Sequence, residues 1–179
     1  MSSSADLTPP GGEAPGQRPP GTALALAGRP ALEGVALMAQ GVPKAVIEML
    51  RRVPLLSACT QAELRQIANL GTHVSVPDGK VLIQQGKVGR EFFMLLGGRA
   101  LCYVDGALMA TFEPGDFFGE MALLRRSPRQ ATVVADGGVD LLILDGREFD
   151  KLLSTSPRVA MSLLEAMAMR QEANATLYS

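Results

Sequence analysis

Residues 91–112 read EFFMLLGGRALCYVDGALMATF, and this stretch decides the fold. Two apolar runs, Glu91 to Leu96 and Arg99 to Val104, flank Gly97-Gly98, and Asp105-Gly106 separates the second from a third, Ala107 to Phe112. Asp-Gly between two apolar runs is the strongest short-range hairpin signal, because both turn positions need positive φ. The same texture extends in both directions. His73 to Val76, Lys80 to Gln84, Gln130 to Ala135 and Val139 to Leu144 are further short apolar runs. Turn residues part them at Pro77-Asp78-Gly79, Gly86 to Gly89, Pro114-Gly115-Asp116 and Asp136-Gly137-Gly138. Seven or eight strands at this spacing predict an antiparallel barrel or jelly roll.

Helices lie on both sides. Val46, Ile47, Met49, Leu50 and Val53 recur at three- and four-residue spacing until Pro54. Thr60-Gln61-Ala62-Glu63 is a capping box, followed by Leu64, Ile67 and Ala68 on one face, with Gly71 at the position of a left-handed terminator. Beyond the strands, Asp145 caps a turn holding Phe149, Leu152 and Leu153, and Ser156-Pro157 opens a last helix. Apolar residues cover most of the circumference from Val159 to Met169, which predicts burial on more than one side.

The first part of the chain differs. Through residue 43 it holds seven of the 12 prolines and seven of the 19 glycines, and none of the aromatics. Residues 1–42 are expected to be a disordered tail and residues 43–179 one compact domain.

Composition excludes several classes. Seventeen basic and 18 acidic residues give a net charge of −1, with no basic excess for nucleic acid or an anionic membrane. No apolar run of about 18 residues spans a bilayer, and the N-terminus lacks a basic signal region, so a cytoplasmic protein is expected. Two cysteines, Cys59 and Cys102, read as reduced core residues. One histidine, His73, is too little for a histidine metal centre, so no metal is expected.

Pro114 to Thr132 interrupts the strands and carries the chemistry. Glu120 to Leu124 has helix formers behind Gly119, and a helical turn there presents unpaired N–H groups to an anion. Nine residues on, Arg129 offers a planar fork suited to phosphate oxygens. Glu120 would repel a phosphate, but it suits a sugar hydroxyl beside one. A carboxylate, a helix start and one arginine ask for a sugar phosphate of low charge.

Phe118-Gly119-Glu120-Met121-Ala122-Leu123-Leu124 followed by Ser127-Pro128-Arg129-Gln130-Ala131-Thr132 resembles the phosphate-binding cassette of the cyclic nucleotide-binding domain family. The likeness extends through Val53-Pro54-Leu55-Leu56, the following helix, Asp78 to Ile83 and Gln85 to Phe93, about 130 residues in all. It implies an eight-stranded jelly-roll barrel with helices before and after. It also implies that Glu120 binds the ribose 2′-hydroxyl and Arg129 the cyclic phosphate, with N–H groups of Gly119 and Ala122 on neighbouring oxygens. Met121, Gln130 and Ala131 complete the expected ligand-binding set. Gln130 stands where many members carry a small or hydroxyl residue, and its amide serves either purine edge.

The expected ligand is cAMP, with cGMP as the other choice, and no cofactor is implied. Met109 and Ala110 read as core or base wall, Arg125 and Arg126 as solvent-facing, and Arg170 and Asn174 as candidates for a base edge. In family members the terminal helix caps the base or pairs with its copy, which makes Leu163, Leu164 and Met167 candidates for a homodimer. Too few residues follow that helix for DNA reading, and no nucleophile–base pair suggests catalysis. The expected function is a stand-alone sensor that signals to a protein partner by moving its C-terminal helices; the alternative is a degenerate scaffold that binds no nucleotide.

Overall fold

The computed structural model describes residues 42–177, with side chains to residue 173. The tail expected over residues 1–42 therefore lies outside the described residues except for Val42, which packs against the core.

Three helical segments come first. Helix α1, Lys44–Arg51, buries Val46, Ile47 and Leu50, and a 3₁₀ turn at Pro54–Leu56 follows. Helix α2, Gln61–Leu70, starts with the expected box: Glu63 N–H donates to Thr60 Oγ1 at 3.3 Å and Thr60 N–H to Glu63 Oε2 at 2.7 Å. Gly71 is not left-handed. Its backbone is extended, at φ −91° and ψ 174°, and it is glycine for room, because a Cβ there would stand 2.9 Å from the Ile143 carbonyl.

Among the described residues six strands form one antiparallel sheet: β1 Thr72–Val76, β2 Val81–Ile83, β3 Glu91–Val104, β4 Ala107–Phe112, β5 Phe117–Phe118 and β6 Thr132–Asp145. The hairpin β3–β4 turns at Asp105, φ 50°, and Gly106, φ 80°, as its sequence requires. The closed eight-stranded barrel does not form. Gly97-Gly98 and Asp136-Gly137-Gly138, read as turns, are irregularities inside two 14-residue strands that stay paired across them. The register slips between Leu95 and Gly97 and again between Gly97 and Arg99, a bulge that bends both strands together. Each strand changes its outer partner across the bend: β6 pairs with β1 through residues 139–143 and with β2 through 133–134. Likewise β3 pairs with β5 at residues 93–94 and with β4 at 100–104. Gly98 makes the bend possible, at φ 79°, where a Cβ would lie 2.2 Å from the Gly138 carbonyl.

The period of two in β3 feeds two cores. Phe92, Met94 and Leu96 join Leu142, Leu144 and the helices; Phe93 and Leu95 join Val74, Leu141 and Phe118 inside the folded sheet. Helix α4, Gly146–Thr155, is capped by Asp145, whose carboxylate accepts from Arg147 and Glu148 N–H. It adds Phe149 and Leu152 to the helix-side core. Helix α5, Pro157–Leu177, buries Val159 and Leu163. Among the described residues burial on more than one side is not found: Met161, Leu164 and Met169 are exposed, because the other described elements reach only one face.

Candidate functional site

Strand β5 places the site. Its two residues pair with β3, Phe93 opposite Phe118 and Met94 opposite Phe117, with the Phe93 and Phe118 rings stacked at 5.1 Å. Gly119 then turns at φ 90°, where a Cβ would stand 2.7 Å from the Glu91 carbonyl, so only glycine lets the chain pass this close to β3. The short helix α3, Glu120–Arg125, follows and ends at left-handed Arg126. The next loop is fastened by backbone: Arg129 N–H donates to Lys87 C=O at 2.9 Å, and Gly86 N–H to Arg129 C=O at 2.8 Å. These bonds fix where the Arg129 side chain starts.

Glu120 and Arg129 are the two buried charged residues among those described, 5% and 6% exposed. Burying a charge is costly unless it is paired and hydrogen-bonded, and here each has a partner. Arg129 Nη1 donates to the Gly119 carbonyl, and Nη2 donates to both the carbonyl and the Oε2 of Glu91, all at 2.9 Å. The guanidinium also lies over the Phe93 ring, 5.8 Å from its centroid. Glu120 Oε1 accepts from Arg170 Nη1 of α5 at 3.3 Å, while Arg170 Nη2 donates to the Phe117 carbonyl at 2.7 Å. Arg170 stacks on the Phe117 ring at 4.1 Å. Burial pushes the Glu120 carboxyl above the usual carboxylate range, and the Arg170 and Arg129 charges work against that rise. For Arg129 burial lowers the pKa, opposed chiefly by Glu91.

All seven expected residues, Gly119, Glu120, Met121, Ala122, Arg129, Gln130 and Ala131, line one cavity of about 140 Å³. Ile83, Cys102, Phe112, Phe118, Val133 and Arg170 complete its wall. A second cavity of about 260 Å³ adjoins it, lined by Arg125, Met167 and Gln171, and it shares Glu120, Met121, Gln130 and Arg170. Glu120 and Arg170 thus line both cavities, and neither cavity alone reaches the roughly 300–1,000 Å³ of small-molecule sites.

Other candidates fall elsewhere. Met109 and Ala110 are exposed on β4 and line neither cavity, so they are neither core nor base wall. Arg125 and Arg126 are exposed, Leu163 is buried within the chain, Leu164 is exposed and Met167 is half-buried. The side chain of Asn174 is outside the described residues. Sequence reasoning missed Glu91 as a partner of Arg129 and the apolar wall around Cys102. Glu91 did carry a weak signal, as a lone acid directly before the apolar run Phe92 to Leu96, though that run does not point to Arg129. Among the described residues no helix is long and apolar enough to cross a membrane, and no three His, Cys, Asp or Glu side chains cluster as metal ligands.

Comparison with known proteins gives the same picture. The cyclic nucleotide-binding domain family model matches residues 73–156, from β1 to the end of α4. The cAMP-dependent protein kinase regulatory subunit of Hypocrea atroviridis is 35% identical over 104 residues, 58% of this chain and 22% of that protein. The regulatory subunit of Pyricularia oryzae is 37% identical over 106 residues, 58% of this chain and 27% of its own length. The chain thus spans about a quarter of these relatives. A solved structure described as Sp-2Cl-cAMPS bound to PKAR CBD2 superposes with a TM-score of 0.63 at 29% identity, covering 74% of this chain and 90% of that one. The Thermus thermophilus catabolite activator protein also gives 0.63, at 28% identity, covering 69% and 61%. Helix α4 and almost all of the sheet from β1 to β6 thus fall within the 73–156 segment that matches the cyclic nucleotide-binding domain family, and the fold is similar to that of solved cyclic nucleotide-binding proteins.

Proposed function

We propose that residues 43–179 bind a 3′,5′-cyclic mononucleotide, cAMP ahead of cGMP, after a tail of residues 1–42. One observation carries the reading: the two buried charged residues, of opposite sign, wall the same cavity. Buried charges with shifted pKa values gather at functional sites more than elsewhere in a fold. Arg129 would hold the cyclic phosphate and Glu120 the ribose 2′-hydroxyl, with Gly119, Met121, Ala122, Gln130 and Ala131 around them. The names of the relatives, regulatory subunits and a structure holding a cAMP analogue, support the ligand class.

In this reading the chain is a binding module of the cytoplasm and not an enzyme, and it signals to a protein partner through α5. Arg170 supports the link, because a ribose hydroxyl and Arg170 compete for one carboxylate. The exposed Met161 and Leu164 give α5 a face for a second copy or for the partner. The scaffold reading has one observation in its favour: Glu120 and Arg129 are already satisfied by protein groups.

Calorimetric titration with cAMP and cGMP decides between the two. Cys102 supplies an independent readout, since it lines the cavity as a free thiol whose pKa burial raises. Saturating cAMP should slow its alkylation by about tenfold or more while leaving Cys59, beside Thr60 and Arg158, unaffected. No heat and no protection would leave the scaffold.

A second expectation concerns Glu120. A 2′-deoxy cyclic nucleotide should bind the native chain about 1.5–3 kcal/mol more weakly, the carboxylate losing its partner in a dry site. In Glu120→Gln the two ligands should differ much less. An equal penalty in both proteins would assign Glu120 to the local backbone alone.

A further inference from the structure

Arg129 does not meet the cavity with a free fork. A guanidinium carries five N–H hydrogens. Three are spent within the chain: one on the Gly119 carbonyl and two on Glu91, through its carbonyl and its Oε2. Two remain. Gly89 keeps the group there: a Cβ at that position would lie 2.4 Å from Arg129 Nε and 2.7 Å from Nη2, so the guanidinium lies close against this backbone. The Glu91–Arg129 contact is 2.9 Å long with the two side chains 23% and 5% exposed, a pair largely withdrawn from water.

We propose that Glu91 is a specificity residue that makes this site select phosphodiesters and reject phosphomonoesters, a proposal that rests on the cyclic nucleotide reading above. The reason is charge. Glu91 with Arg129 and Glu120 with Arg170 are two neutral pairs, so these four buried or half-buried groups bring no surplus positive charge to the cavity. It accepts the single negative charge of a diester. A monoester carries about −1.5 to −2 at neutral pH and brings the excess onto the guanidinium that already holds a carboxylate. The screening is weak there, so the repulsion is large.

The test uses cAMP, AMP and the methyl ester of AMP, titrated at pH 7.5 into the native chain and into Glu91→Gln. The methyl ester is an open-chain diester, so it separates phosphate charge from ring shape. Glutamine keeps an acceptor for Arg129 Nη2 and removes the charge. The native chain should prefer the methyl ester to AMP by about tenfold or more, and in Glu91→Gln the preference should shrink to about threefold or less. Native cAMP binding with no preference between methyl ester and AMP overturns the role of Glu91 and leaves the cyclic nucleotide site standing. A native preference that persists undiminished in Glu91→Gln does the same. Absence of cAMP binding to the native chain overturns the site reading and this proposal together. The native arm needs no variant, so the preference for a diester is tested even where Glu91→Gln misfolds.

Discussion

Arg129→Ala should lose about 3 kcal/mol of cyclic nucleotide affinity, roughly 150-fold, because the buried cation proposed to hold the phosphate goes together with its charge-assisted hydrogen bond. The same change removes three hydrogen bonds within the chain and leaves Glu91 beside the site without its cation. A thermal melt must therefore accompany the calorimetry. Arg129→Lys separates the two effects: its ammonium keeps the charge but cannot hold the Gly119 carbonyl, Glu91 and a phosphate oxygen in one plane. It should fold better than Arg129→Ala and still bind weakly. A folded Arg129→Ala that binds within about threefold of native would remove Arg129 from the site.

Gly98→Ala should be the more damaging change to the fold, at about 3 kcal/mol or more from the left-handed backbone and the overpacking together. The added carbon would lie 2.2 Å from the Gly138 carbonyl and 2.9 Å from Val139 Cα, both backbone, so no flexible side chain can yield. Gly79→Ala is the control: φ is +74° and nothing lies within 4 Å, so it should cost only the backbone penalty of about 1 kcal/mol. Equal midpoints in denaturant for the two variants would show that the bulge is not a tight contact.

Local chemistry was legible in the sequence wherever it was self-contained. The Thr60 and Asp145 caps and the Asp105-Gly106 hairpin each depend on residues within three positions of one another, and each is found as expected. The cassette was legible because its spacing is contiguous, and its seven candidates come together around one cavity. What failed depended on distant partners. Gly97-Gly98 reads equally as a turn or a bulge, and only the opposite strand, some 40 residues on, decides for the bulge. Gly71 was glycine for room beside Ile143 and Leu142, a reason that no neighbour in sequence reveals. Glu91 lies 38 residues from Arg129, and nothing between them announces the contact. The apolar surface of α5 predicted more cover than the described residues of the chain supply.

Time enters through the Arg170–Glu120 pair. On the proposed reading, a ribose hydroxyl that takes Glu120 Oε1 displaces Arg170 Nη1 from it, so capture would include the release of this pair. At low ligand concentration encounter would then set the pace; at high concentration the release would, and the rate would level off. A chain that binds in this way would answer a sustained level of its ligand more fully than a brief surge.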